Sequence, residues 1–175
     1  IQQGSTMSID TTKPKVSKTT LQVEHIRIDS NKSYAEAKTA LDRLPKFDDR
    51  IRVLLQYGEF ERVKKELEKN QGDAHLIIFA AATHGDWIQI LGERRNALQY
   101  VIGNVLIASQ MTQYQLPAGL YAPLRVMLYE NAEGTATFEY DRPSDLFGQF
   151  GDVRVTSVAR TLDHQIYDAL ITAAT

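Results

Sequence analysis

Apolar and polar positions alternate with period two from Pro123 to Tyr129, lose the rhythm through Glu130-Asn131-Ala132-Glu133-Gly134 and recover it from Thr135 to Tyr140. That pattern predicts a β-hairpin. Pairing Glu130 with Gly134 sets Leu124 opposite Tyr140, Val126 opposite Phe138 and Leu128 opposite Ala136, an apolar face that belongs to the core. The reverse face carries Arg125 opposite Glu139, Met127 opposite Thr137 and Tyr129 opposite Thr135. A one-residue slip would exchange the two faces, so the alternation itself selects the buried side. The hairpin is expected in the middle of the only large sheet.

Upstream, residues 20–28 predict a first strand. Leu21 and Val23 share one side, Ile26 and Ile28 take the other parity, and a bulge at Glu24-His25 would bring all four together. Ser33-Tyr34-Ala35-Glu36 reads as a capping box opening a helix whose Tyr34, Ala37, Leu41 and Leu44 share a face until Pro45 stops it. Asp48 or Asp49 caps a short helix that ends at Gly58, and a third helix follows over residues 59–70 with Phe60, Val63 and Leu67 as a narrow apolar stripe. Residues 76–82, LIIFAAA, form a nearly continuous apolar run, the mark of a strand covered on both faces, so a central place is expected for it. Thr83-His84-Gly85-Asp86 interrupts that run, with Trp87, Ile88 and Leu91 expected over one end of the core.

A strand over residues 97–102, a helix capped by Asn104, a short helix begun at Asp141-Arg142-Pro143-Ser144 and a long amphipathic helix over residues 153–174 complete the chain. The predicted fold is α+β: a single domain over residues 20–175, with a mostly antiparallel sheet of about five strands covered by helices on one face. Residues 11–19, rich in Thr, Lys and Ser, predict a flexible arm, and residues 1–6 ahead of Met7-Ser8 resemble a tag remnant.

Composition narrows the function more than the fold. With 43% hydrophobic and 24% charged residues the chain is an ordinary globular sequence, and a net charge of -2 lacks the basic excess of a nucleic-acid or membrane-surface binder. The absence of cysteine excludes disulfides, thiolate catalysis and Cys-based metal sites. No run approaches the roughly 20 apolar residues of a membrane span, and no signal-peptide pattern opens the chain, so a cytoplasmic location is expected.

Four stretches carry a family resemblance: IIFAAATHGD at residues 77–86, QYVIGN at 99–104, LYAPLRVMLYE at 120–130 and YDRPSDLFGQF at 140–150. Through them, residues 74–174 resemble domain-of-unknown-function family 302 (DUF302), a largely prokaryotic, bacterial group of small α+β proteins. The resemblance implies that fold. A histidine commonly follows the strand in that family where His84 stands, with an acid ahead of it where this chain has Thr83; a proline commonly follows the Gly-Asn pair where this chain has Val105. The family implies no settled activity.

The histidines His25, His75, His84 and His164 show no metal-ligand spacing, and no phosphate loop, nucleophile elbow or dinucleotide fingerprint occurs. What remains is a set of element ends: His84 after one strand, Asn104 after another, and Tyr140-Asp141-Arg142 after the hairpin. If those ends converge, His84 shuttles protons, Asp141 orients it, and Arg142 or Asn104 holds an anionic group. Arg125, on the hairpin's second face, suits a carboxylate or phosphate if that face is covered. Each has a competing structural role: helix start for His84, caps for Asn104 and Asp141, core or interface for Tyr140. The favoured reading is a small-molecule-binding or accessory protein acting as a homo-oligomer, most simply a dimer through the second sheet face, with no cofactor identified. The alternatives are an enzyme using His84 and Asp141 in acid-base chemistry, and a haem or tetrapyrrole binder with His84 as the axial ligand.

Overall fold

The computed structural model describes residues 12–175; the segment read as a tag remnant lies outside the described residues. Five antiparallel strands, β1 (His25–Asp29), β2 (Ile77–Ala82), β3 (Ala97–Gly103), β4 (Leu124–Glu130) and β5 (Ala136–Asp141), form one sheet in the order β1-β5-β4-β3-β2. The β4-β5 hairpin therefore lies in its interior, as the alternation predicts. Its register differs from the sequence-based pairing by two residues: Leu128 faces Phe138, Met127 faces Glu139 and Glu130 faces Ala136. The turn explains the shift. Asn131 Oδ1 accepts the N–H groups of Glu133 and Thr135, the Asn131 carbonyl accepts from Gly134, and Gly134 takes a left-handed φ of 80°. Asn131 and Thr135 thus close the ladder, a turn followed by a glycine in the left-handed region. Because the shift is even, every side chain keeps its face.

The helices are α1 (Tyr34–Leu41), α2 (Arg50–Gln56), α3 (Phe60–Asn70), α4 (His84–Trp87), α5 (Val105–Thr112), α6 (Pro143–Phe147) and α7 (Val153–Ala174). The expected capping box opens α1, with Ser33 Oγ accepting the Glu36 N–H and the Glu36 carboxylate accepting the Ser33 N–H. The buried residues Val155, Leu162, Ile166 and Leu170 of α7 lie on the apolar sheet face built from Tyr100, Val126, Leu128 and Phe138. Helices α2 and α3 make a smaller core of Ile51, Val63 and Leu67 against Val105 and Leu106 of α5.

Three expectations fail locally. The first strand begins at His25 and not at residue 20, since β5 ends at Asp141 and Pro143 turns the chain away; Glu24 is held instead by Arg142 and by Asp145. The strand β2 is an edge, not a centre. Its first half is covered by a bridge from Lys46 to Ile78 and by Phe47 stacked on Phe79, while Ala80, Ala81 and Ala82 are exposed. Alanine exposes little apolar area, so the run tolerates an edge that larger residues would not. Finally, Trp87 and Leu91, 70% and 89% exposed, do not cover the core. Gly85 explains this: a Cβ there would meet the Arg95 carbonyl at 1.8 Å, so α4 docks by its backbone and turns its large side chains outward.

The fully buried Phe138 ring stands inside the sheet, between Ile28 of β1 and Leu128 of β4. Phe138→Ala is expected to cost about 3–5 kcal/mol, a large share of a typical domain's roughly 5–15 kcal/mol. Denaturant unfolding measures it, and a loss below about 1 kcal/mol contradicts the placement.

Candidate functional site

Antiparallel topology sorts the predicted residues between the two ends of the sheet. His84 follows β2 near the start of β3, whereas Asp141 ends β5 beside the start of β1. The structure therefore does not bring them together. Asp141 instead meets His25, whose Nδ1 lies 2.8 Å from Asp141 Oδ1 and whose Nε2 lies 2.9 Å from Glu139 Oε1. The other Glu139 oxygen accepts the Tyr129 hydroxyl at 2.6 Å. Carboxylates only accept, so both histidine bonds require N–H on both ring nitrogens, the imidazolium. Accordingly the Asp141 hydrogen bond, then that of Glu139, raises the His25 pKa, while the bonds from Tyr129 and His25 hold the Glu139 carboxyl below its ordinary value. With both ring nitrogens engaged by carboxylates, His25 joins β1 to β5 and, through Glu139, to Tyr129 of β4.

Asn104 is nearly fully buried and fully engaged. Its Oδ1 accepts from Leu106 and Ile107 at 2.9 and 3.2 Å, and its Nδ2 donates to Gln71 Oε1 and to the carbonyl of His75. Tyr140 lies in the core, where burial pushes its hydroxyl up to about 12. Arg142 bonds both Glu24 and Asp145. Of the predicted anion binders, Arg125 alone stands exposed on the open sheet face with no ion pair or hydrogen bond among the described residues. His25 was missed because its strand was read with a bulge. The plain alternation of His25-Ile26-Arg27-Ile28-Asp29 was the available signal, since it sets His25, Arg27 and Asp29 on one polar face.

A cavity of about 490 Å³ opens at the end of the sheet where β3 passes into Asn104 and β4 begins. Phe79 and Val101 of the sheet, Ala108 and Thr112 of α5, and Phe147 with Leu162 line it. Gly103 lets the chain entering β4 pack close: a Cβ there would come within 3.1 Å of Pro123 Cβ. The hydroxyls of Ser109 and Thr112, both lining residues, donate back to the carbonyls of Val105 and Ala108. Arg52 is the one ionisable side chain in the lining; its guanidinium sits 4.8 Å from the centre of the Phe47 ring, which stacks on Phe79 at 5.0 Å. A second, wider depression of about 1000 Å³ between α1, α3 and α7 is fringed by Lys32, Arg43, Lys69 and Asp168 and is suited to water. Among the described residues no cluster of three metal-ligating side chains occurs, and no helix is long and apolar enough to cross a membrane.

Fold and cavity together define an α+β domain with one helical layer and one open sheet face. Residues 51–173 match the family model described as Domain of unknown function DUF302, and the chain belongs to that family. The match carries the resemblance upstream from residue 74 to Ile51, the start of the smaller core. The crystal structure of an uncharacterized conserved DUF302 protein from Bacillus stearothermophilus is similar with a TM-score of 0.61 at 15% identity, covering 85% of this chain and 97% of that one; at this identity the likeness is one of fold. No curated protein matches.

The histidine clasp makes a pH prediction. The folded-state pKa of His25 is raised above 6.5, so its contribution to stability is complete below about pH 6.5 and is lost as pH rises through the folded value. The midpoint difference between wild type and His25→Gln is expected to be largest near pH 6 and to shrink by about pH 9. Thermal unfolding across that range checks it, and a difference that grows with pH contradicts the assignment.

Proposed function

We propose that this chain binds a small, mainly apolar molecule in the cavity between α5 and the end of the sheet. The cavity itself carries the reading: about 490 Å³ lies within the range of roughly 300–1,000 Å³ for small-molecule sites, and aromatic, aliphatic and small side chains make most of its wall. The pattern of engaged groups favours binding over acid-base catalysis, because His25 and Arg142 are paired and His84 stands at the far end of the sheet. A cysteine-free chain suits a cytoplasmic setting. A neutral apolar fluorescent probe such as N-phenyl-1-naphthylamine is expected to bind one per chain, and Ala108→Trp, which fills the cavity, to abolish binding with the melting temperature kept. Equal probe binding by wild type and variant overturns the proposal.

A homo-oligomer is the accompanying reading, favoured by the two unlike edges of the sheet. The β1 edge presents His25, Arg27 and Asp29, and charges at an edge discourage strand addition. The β2 edge presents Ala80-Ala81-Ala82 without charge, and the neighbouring Trp87, Ile90 and Leu91 are exposed. A second copy paired antiparallel along β2 would extend the sheet about a two-fold axis, and such a contact closes on itself. Light scattering is expected to give at least twice the 19.7 kDa chain mass, with Leu91→Arg shifting it toward one chain. A wild type that stays at 19.7 kDa at micromolar concentration defeats this reading.

A further inference from the structure

We infer that the molecule bound in the α5 cavity is an acid: an apolar body bearing a single carboxylate, its head held by Arg52 at the cavity edge and assisted by Arg125. This rests on the cavity reading above and specifies its ligand. The lining contains one cation and no anion. A cationic ligand would bring a second positive charge against Arg52, and a neutral one would leave its η nitrogens without a charged partner. Asp49 takes only the Nε–H of Arg52, at 3.2 Å from a carboxylate that is itself largely exposed, so the two η nitrogens have no partner among the described residues. Their fork offers two parallel N–H groups to a planar pair of oxygens. Phe47 beneath the guanidinium fixes its plane, so less side-chain freedom is lost when the acid binds.

Arg125 stands on the open sheet face directly opposite Val101, and next in sequence to Leu124; both of those residues line the cavity. Other arginines of this half of the molecule are committed: Arg27 to Asp29, Arg142 to Glu24 and Asp145, and Arg154 to Asp152. Arg125 has no ion pair or hydrogen bond among the described residues, and the acids of the neighbouring β5 and β1 are taken by His25 and Arg27, which leaves it available to a ligand. A singly charged planar head suits this pair better than a tetrahedral dianion, because Arg52 already shares its charge with Asp49.

The test is titration calorimetry with decanoate, decanamide, decylamine and decyl phosphate, each below its aggregation threshold. Decanoate is expected to bind one per chain, about tenfold or more tighter than decanamide, since a charge-assisted hydrogen bond to a guanidinium contributes on that scale. Arg52→Ala is expected to remove about that factor for decanoate while leaving decanamide unchanged, with Arg52→Lys intermediate because it keeps the charge and loses the fork. Arg125→Ala is expected to cost less, and added salt to weaken decanoate alone. If decanoate and decanamide bind equally, the acid inference falls while the cavity reading stands. If decyl phosphate binds more tightly than decanoate, the carboxylate assignment is overturned. Should none of the four bind, and Ala108→Trp leave the fluorescent probe bound, the cavity reading itself fails.

Discussion

One-sided burial of the antiparallel sheet is the constraint on which the rest of the molecule depends. A strand side chain has two choices of face, and once Val126, Leu128 and Phe138 lie under the helical layer, every neighbouring strand inherits its parity through the ladder. That is why the register of the hairpin can differ by two residues from the one the alternation suggests without disturbing the core. An odd shift would have placed Glu139 beneath α7 beside Val126, or else Met127 there beside Phe138. The same parity puts His25, Glu139, Tyr129 and Asp141 side by side on the uncovered face, where solvent and mutual hydrogen bonds satisfy them together.

The cavity arises where this arrangement stops being continuous. The two helical groups, α1 with α7 on the sheet and α2 with α3 on α5, are separate packing units with separate cores. Asn104 joins them, capping α5 through its oxygen and tying Gln71 and His75 through its nitrogen. The residue singled out in the sequence for an anion is thus a joint, and the space it frames lies between the end of the sheet and the small residues of α5. Gly103 and Ala108 are among the small residues that line that space.

The legible part of the fold was the part governed by local periodicity and capping. Ser33 and Glu36, the helix over residues 153–174 and the hairpin faces each follow from contacts within a few residues, and all stand as predicted. Strand order was not legible, because a run such as Ile77-Ile78-Phe79 followed by three alanines reads the same in the middle of a sheet as at an edge half covered by Phe47. The separation of His84 from Asp141 was illegible for the same reason. Pairing His84 with Asp141 assumes that two strand ends share one side of the sheet, and only the antiparallel order of all five strands decides that. Among the predicted anion binders, the sequence could not distinguish Arg142, held by two carboxylates, from Arg125, held by none, since Glu24 lies 118 positions upstream of Arg142 (142 minus 24).

The distribution of satisfied and unsatisfied charge then argues for where the proposed ligand is held. A polar group already paired in the folded chain gains little from a ligand, because binding must first break what folding has made. By that criterion the histidine clasp, the Arg142 pair and the Asn104 joint belong to stability, although each carries the residue types of an active site. At the cavity, the groups with capacity to spare are the η nitrogens of Arg52 in its lining, with the guanidinium of Arg125 on the neighbouring sheet face, and no acid lines it. Low-polarity walls strengthen a hydrogen bond to a charged head and exclude competing water, so a cation at such an edge discriminates by ligand charge more sharply than the same cation on an open surface.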